Sequence, residues 1–200
     1  MSNRKNKKKI TKKSEWMEFC YDTMDVTKRI AYNLDDPDDH IPIAMVVDSE
    51  GKTALIQLGG LPSKQMAYAA LVEIAKELKA HSVATIFSCW SVRPSIEELR
   101  KHSPDGATDE EIAENLAENF AENYQGPAVR DHPDRVEGFM LWGAYGLEQF
   151  GLLVPYERTE SGNIKKFLEE EIMNDGELIR NFLWEEAYNE LFPERKDVIP

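Results

Sequence analysis

Apolar positions along this chain change their period several times, and each change marks an element. From Ser14 to Leu34 they recur at helical spacing, with Trp16, Phe19, Cys20 and Thr23 on one face and Ser14 placed to cap the first turn. Asp35-Asp36-Pro37-Asp38-Asp39 ends that helix. Ile41–Asp48 and Thr53–Leu58 are β-prone runs joined by Ser49-Glu50-Gly51-Lys52, which predicts a β-hairpin. Pro42 fits only the start or the edge of such a strand. Pro62 then opens a helix whose broad apolar stripe holds Met66, Ala69, Ala70, Leu71, Ile74, Ala75 and Leu78.

Ser82–Trp90 is almost entirely apolar or small, the pattern of a central strand covered on both faces. Thr108-Asp109-Glu110-Glu111 reads as a capping box, and the acidic helix it starts is stopped by Gly126-Pro127. Val136–Tyr145 and Gly151–Tyr156 read as two strands with a short link between them. Between 163 and 191, Ile164, Phe167, Leu168, Ile172, Ile179, Phe182, Leu183, Tyr188 and Leu191 follow helical spacing, and Gly176 divides the segment into two helices.

This order predicts an α+β fold. Its centre is a mostly antiparallel five-stranded sheet built as hairpin, helix, strand, insert, hairpin, with flanking N- and C-terminal helices. Residues 1–13 form a basic tail without fixed structure, and 14–192 form one domain. Within it, 95–130 is an acidic helical insert and 163–192 holds the C-terminal helices; 193–200 is a tail. Leu55, Leu71, Ile74, Val83, Ile86, Phe87 and Met140 are expected to be buried together.

Charge sharpens this picture. The chain has 24 Lys and Arg against 37 Asp and Glu, and residues 1–13 alone hold seven of the basic side chains and no acid. The rest carries 17 basic and 37 acidic groups, a formal charge of −20. Such a body repels phosphate backbones, so nucleic acid is an expected partner only through the basic tail. No apolar run approaches the ~20 residues of a membrane-spanning helix, and no signal-like segment follows the basic start. Two cysteines, Cys20 and Cys89, make no disulfide framework, and neither has a C-x-x-C partner. A reducing cytoplasm is the expected setting.

The densest polar chemistry is Asp131-His132-Pro133-Asp134-Arg135-Val136-Glu137. Here His132 would serve as general base or metal ligand, a carboxylate would orient it, and Arg135 would hold an anion. The structural alternative is a proline turn in which Arg135 pairs with a neighbouring acid, since strand alternation puts Arg135 and Glu137 on one face. The structural alternative is preferred, because catalysis needs a second converging cluster. The remaining candidates for one are His40 with Asp38 and Asp39, His81 and His102. Cys89 could act as a nucleophile but fits better as a packed strand cysteine. Gly59-Gly60-Leu61-Pro62-Ser63-Lys64 lacks the phosphate-binding G-x-x-x-x-G-K-[ST] form, and no spacing matches a metal-ligand pattern. No cofactor and no metal are expected.

Phe87-Ser88-Cys89-Trp90 together with His132-Pro133-Asp134-Arg135-Val136-Glu137 carries a resemblance. Residues 41–158 resemble a group of small uncharacterised proteins of phages, plasmids and bacterial chromosomes. In that group a hairpin, a helix and a strand ending in Trp precede a variable insert and a His-Pro-x-Arg-x-Glu turn that opens a second hairpin. Ser88-Cys89 departs from the scheme, in which an acidic and a small residue precede the Trp. The resemblance implies the order of elements and brings no established activity. The expected function is that of a cytoplasmic, non-catalytic accessory or interaction protein of phage or mobile-element type, with a protein partner or a second copy of itself. Two other classes stay open: a small hydrolase using His132 and nearby carboxylates, and an acidic inhibitor whose helix 108–124 mimics nucleic acid.

Overall fold

Helix α1 spans Lys13–Ala31 and is followed by strands β1 (Ile43–Asp48) and β2 (Thr53–Gln57), helix α2 (Lys64–Glu77) and strand β3 (Ala80–Val92). Strands β4 (Arg135–Tyr145), β5 (Glu148–Arg158), β6 (Ile164–Phe167) and β7 (Glu171–Met173) come next, then helix α3 (Phe182–Leu191). The computed structural model describes residues 9–37, 41–92, 100, 106, 108, 135–173 and 182–193. The chain divides into two compact units, one of residues up to 88 and from 139 onward, the other of residues 89–138. The predicted insert 95–130 lies outside the described residues except for Arg100, Gly106 and Thr108.

The α+β class holds, with a mostly antiparallel sheet flanked by N- and C-terminal helices. Strand order is β2-β1-β3-β4-β5-β6, and β7 also pairs with β5. β1 is antiparallel to both β2 and β3. β3 owes its central place to an unbroken buried run from Ser82 to Phe87. The Gly146 N–H donates to the His81 carbonyl at 2.9 Å, which sets the end of β4 beside the start of β3. A two-residue turn, Gly146-Leu147, links β4 to β5; Gly146 has φ 58°, the left-handed value that such hairpin turns ask of their first residue.

Both faces of the sheet are covered. On one, α1 lays Trp16, Cys20, Met24 and Ala31 against Met45, Val47, Ala84, Ile86, Phe139, Leu141, Leu152 and Val154. The Trp16 indole N–H donates to the Ala144 carbonyl at 3.1 Å. On the other face, Tyr68 of α2 stacks on Phe87 with centroids 5.1 Å apart and meets Trp184 of α3 edge-on at 6.4 Å. Trp184 donates to Gln149 and the Tyr188 hydroxyl to the Leu147 carbonyl, so α3 is tied to the β4–β5 turn.

Four expectations change. The predicted core is two cores, because β-strand alternation sends Ile86 to the α1 side and Val83 and Phe87 to the other. Leu55 is 59% exposed, since β2 is the end strand and α1 does not reach over it. Among the described residues the sheet has seven strands rather than five: residues 164–173, read as helix, form β6 and β7, both antiparallel to β5. The cause is a bulge. Glu157 pairs with Lys166 and Arg158 with Ile164, so Lys165 is the extra residue and Ile164 and Phe167 come onto the same face as Tyr156. A three-residue apolar spacing thus arises in a strand. Finally, the start of α1 differs from the expected one: the helix begins at Lys13, and Ile10 ahead of it is packed. The Ile10 N–H donates to the Gly51 carbonyl at 2.9 Å, and its side chain is buried beside α1. Ser14 is not the cap; the carboxylate of Glu15 reaches back to the Thr11 N–H at 3.0 Å.

Gly51 is required twice over: its φ is 79°, and an added Cβ would lie 2.7 Å from the Ile10 carbonyl oxygen. In the same turn the Asp48 carboxylate accepts from the N–H groups of Lys52 at 2.9 Å and Glu50 at 2.8 Å. The Lys52 bond is the stronger cause that holds the Asp48 carboxyl below its ordinary range. A depressed carboxyl stabilises the fold above its unfolded pKa, about 3.9, and that contribution fades as pH falls through the lower folded value.

Candidate functional site

Of the four residues singled out from the sequence, Arg135 and Glu137 are described and His132 and Asp134 lie outside the described residues. Arg135 opens β4 and pairs with Glu137 two positions on: Nε donates to Oε1 at 3.2 Å, and the terminal nitrogen sits 3.2 Å from the same oxygen. The Arg135 side chain is 41% exposed and that of Glu137 13%. This is the same-face pairing that strand alternation implies. With the Arg135 side chain 41% exposed, solvent screens this pair, so Arg135→Ala should shift a denaturant-unfolding free energy by less than ~1 kcal/mol. A loss of several kcal/mol would show that the guanidinium holds much more than Glu137.

The other candidates do not form a catalytic set among the described residues. His40 and His102 fall outside them. His81 is half-buried, its Nδ1 lies 2.6 Å from the Ser82 hydroxyl, and its ring meets Tyr145 edge-on at 5.3 Å. Tyr145 in turn donates to the Thr11 carbonyl, so His81 belongs to a packed aromatic corner. Cys89 is half-buried rather than buried, and burial pushes the Cys20 thiol well above its ordinary range, which keeps it protonated.

The glycine-rich loop before α2 is a turn. Gly60 takes φ 80°, and α2 starts at Lys64 with Ser63 as its cap, the Ser63 hydroxyl accepting from the Met66 N–H at 3.2 Å. The loop's cation serves the sheet: Lys64 donates to the Ser88 carbonyl at 3.0 Å and lies over the Phe87 ring. No group of three or more His, Cys, Asp or Glu among the described residues is arranged to hold a metal ion. No helix among them is long and apolar enough to cross a membrane.

A concavity among the described residues lies elsewhere. A groove of about 780 Å³ runs between α1 and β2, lined by Ile10, Glu15, Glu18, Phe19, Asp22, Thr53, Ala54 and Leu55. Its lining combines the apolar Ile10, Phe19, Ala54 and Leu55 with acids at three- and four-residue spacing on one face of α1. β2 is the end strand of the sheet among the described residues. The Leu58 N–H bonds to the Pro42 carbonyl and the Lys52 carbonyl accepts from Asp48. By alternation, Ala54 and Ile56 also face β1, and the backbone groups of Thr53, Leu55 and Gln57 point outward. The acidic row is visible in the sequence; its placement beside a sheet edge is not, because that depends on where α1 lies over the sheet.

A second, shallower depression is lined by Asp25, Lys28, Arg29, Tyr32, Asn33 and Phe167. Its central cation is engaged, Lys28 bonding Glu170 at 2.6 Å and Asp25 at 2.9 Å. Burial pulls the Lys28 ammonium down, but those two bonds outweigh it and raise its pKa. No family model matches this chain, no curated protein matches it, and no solved structure matches it.

Proposed function

We propose that this protein is a non-catalytic accessory protein that works by holding another protein, and that the α1–β2 groove is where it does so. The observation that carries the reading is Leu55: a large apolar side chain, 59% exposed, on the end strand and in the wall of the groove that Ile10 and Phe19 also line. Isolated exposed apolar residues need no explanation, but one that continues a groove along an outward-facing strand edge is a contact surface. The resemblance of residues 41–158 to proteins of phages and plasmids supports a mobile-element setting.

The experiment is site-specific photo-crosslinking in native cells, with the crosslinking residue placed at Leu55 or, as a control, at Lys165 on β6. A discrete adduct formed from position 55 and missing from position 165 is the expected result. The same pattern from both positions, or no adduct from position 55, would sink the reading.

A further inference from the structure

We infer that residues 9–12 are a releasable strap, and that its Ile10 competes with the partner for the turn end of the α1–β2 groove. The competition rests on the contact reading above; the strap itself does not. The strap runs into α1 in extended backbone, with Lys12 at φ −136° and ψ 148°. Lys9, Thr11 and Lys12 are exposed, whereas Ile10 is 5% exposed, so the strap docks by one side chain. That side chain belongs to the core beneath α1 and also lines the groove with Phe19 and Leu55. A place filled by a segment ahead of the first helix is one that another apolar side chain can fill when the segment lifts.

The strap is tied at both hairpin turns. At the β1–β2 turn the Ile10 N–H donates to the Gly51 carbonyl at 2.9 Å. Gly51 makes room for it: a Cβ there would stand 2.7 Å from the Ile10 carbonyl oxygen and 3.4 Å from Cβ of Lys9. The positive field of Lys9 falls on Asp48 and Glu50 in the same turn. Beside the β4–β5 turn the Tyr145 hydroxyl donates to the Thr11 carbonyl at 3.0 Å, and Lys13 pairs with Glu148. The Tyr145 and Lys13 ties are exposed, so water replaces each as it breaks. Segments of this kind sit at the low end of local stability and open while the sheet stays closed. Opening takes Ile10 out of the groove and leaves its apolar place to the partner. Closed, the strap holds that place at high effective concentration, because it is joined directly to α1.

The test uses the full ¹⁵N-labelled chain and an acetylated, amidated hexapeptide with the sequence of residues 7–12, Lys-Lys-Lys-Ile-Thr-Lys. In the unmodified chain the Ile10 amide should exchange with solvent at least about a hundredfold faster than the Ile86 amide, at a rate that low denaturant leaves unchanged. Tyr145→Phe, which removes one tie and keeps Ile10, should speed that exchange about threefold or more. The Ile10→Ser chain should bind the hexapeptide at least about tenfold more tightly than the unmodified chain does, with movement of the Phe19, Gly51 and Leu55 amide signals. In cells, the adduct from position 55 should form at least about twofold more from the Ile10→Ser chain. Exchange of the Ile10 amide only through global unfolding would overturn the strap. So would a hexapeptide that moves no signal in Ile10→Ser, or one that binds equally well with Ser in place of Ile. In each of those cases the Leu55 crosslink still decides the contact reading. An equal adduct yield from the two chains overturns the competition. No adduct from position 55 in either chain sinks the contact reading and the competition with it, and the strap is then decided by exchange and peptide alone.

Discussion

Trp16→Ala should cost about 3–5 kcal/mol of unfolding free energy, the largest loss expected from any single truncation in α1. Trp16 is 0% exposed, stacks on Phe19 with centroids 5.8 Å apart and is the first large side chain that α1 sets against the sheet. Its indole also gives the Ala144 carbonyl a buried hydrogen bond. Truncation opens a large cavity and removes that bond together. Trp16→Phe separates the two effects: most of the packing survives, and the remaining loss, about 0.5–1.5 kcal/mol, reports the hydrogen bond. Chemical denaturation with both variants is the measurement. A loss below about 1 kcal/mol for Trp16→Ala would mean that α1 does not dock through this residue.

Gly143→Ala should be the costliest change of a single methyl group, at about 1–3 kcal/mol. An added Cβ at Gly143 would stand 2.3 Å from Cζ of Phe150 and within 2.8 Å of both neighbouring ring carbons. Gly143 on β4 lies opposite Phe150 on β5 across the hairpin, so the ring lies over the glycine, and it also meets Tyr21 edge-on. The ring is 4% exposed, so any retreat must displace packed neighbours. The cost should vanish when the ring is gone: in a Phe150→Ala background, Gly143→Ala should be close to neutral. Additive losses in that double-mutant cycle would show that the two residues do not meet.

How far the fold was legible depended on whether packing or local pattern set the period. β3 could be read from the sequence because a strand covered on both faces needs apolar or small residues throughout, and Ser82–Phe87 has them. The second hairpin was legible from the short link between its strands. The segment after 163 was not, because the bulge at Lys165 puts Ile164 and Phe167 on one face of a strand at a spacing that a helix also produces. Leu55 looked like core because the hairpin pattern does not reveal which of its two strands ends the sheet. The groove depended on the same missing fact. The acids Glu15, Glu18 and Asp22 stand at three- and four-residue spacing on one face of α1, and only the structure sets β2 beside them. The pairing of Arg135 with Glu137, by contrast, follows from alternation alone.

The two ends of the sheet are unequal, and this limits how copies of the molecule can assemble. An endless fibre needs two complementary edges on each copy, one to receive and one to be received. β2 can receive. At the opposite end, β5 is divided between two short strands, four-residue β6 and three-residue β7. Lys165 and Lys166 stand exposed there, both ion-paired with Glu157, and the bulge twists the ladder between them. Among the described residues, head-to-tail growth through the sheet has no second long edge to add to.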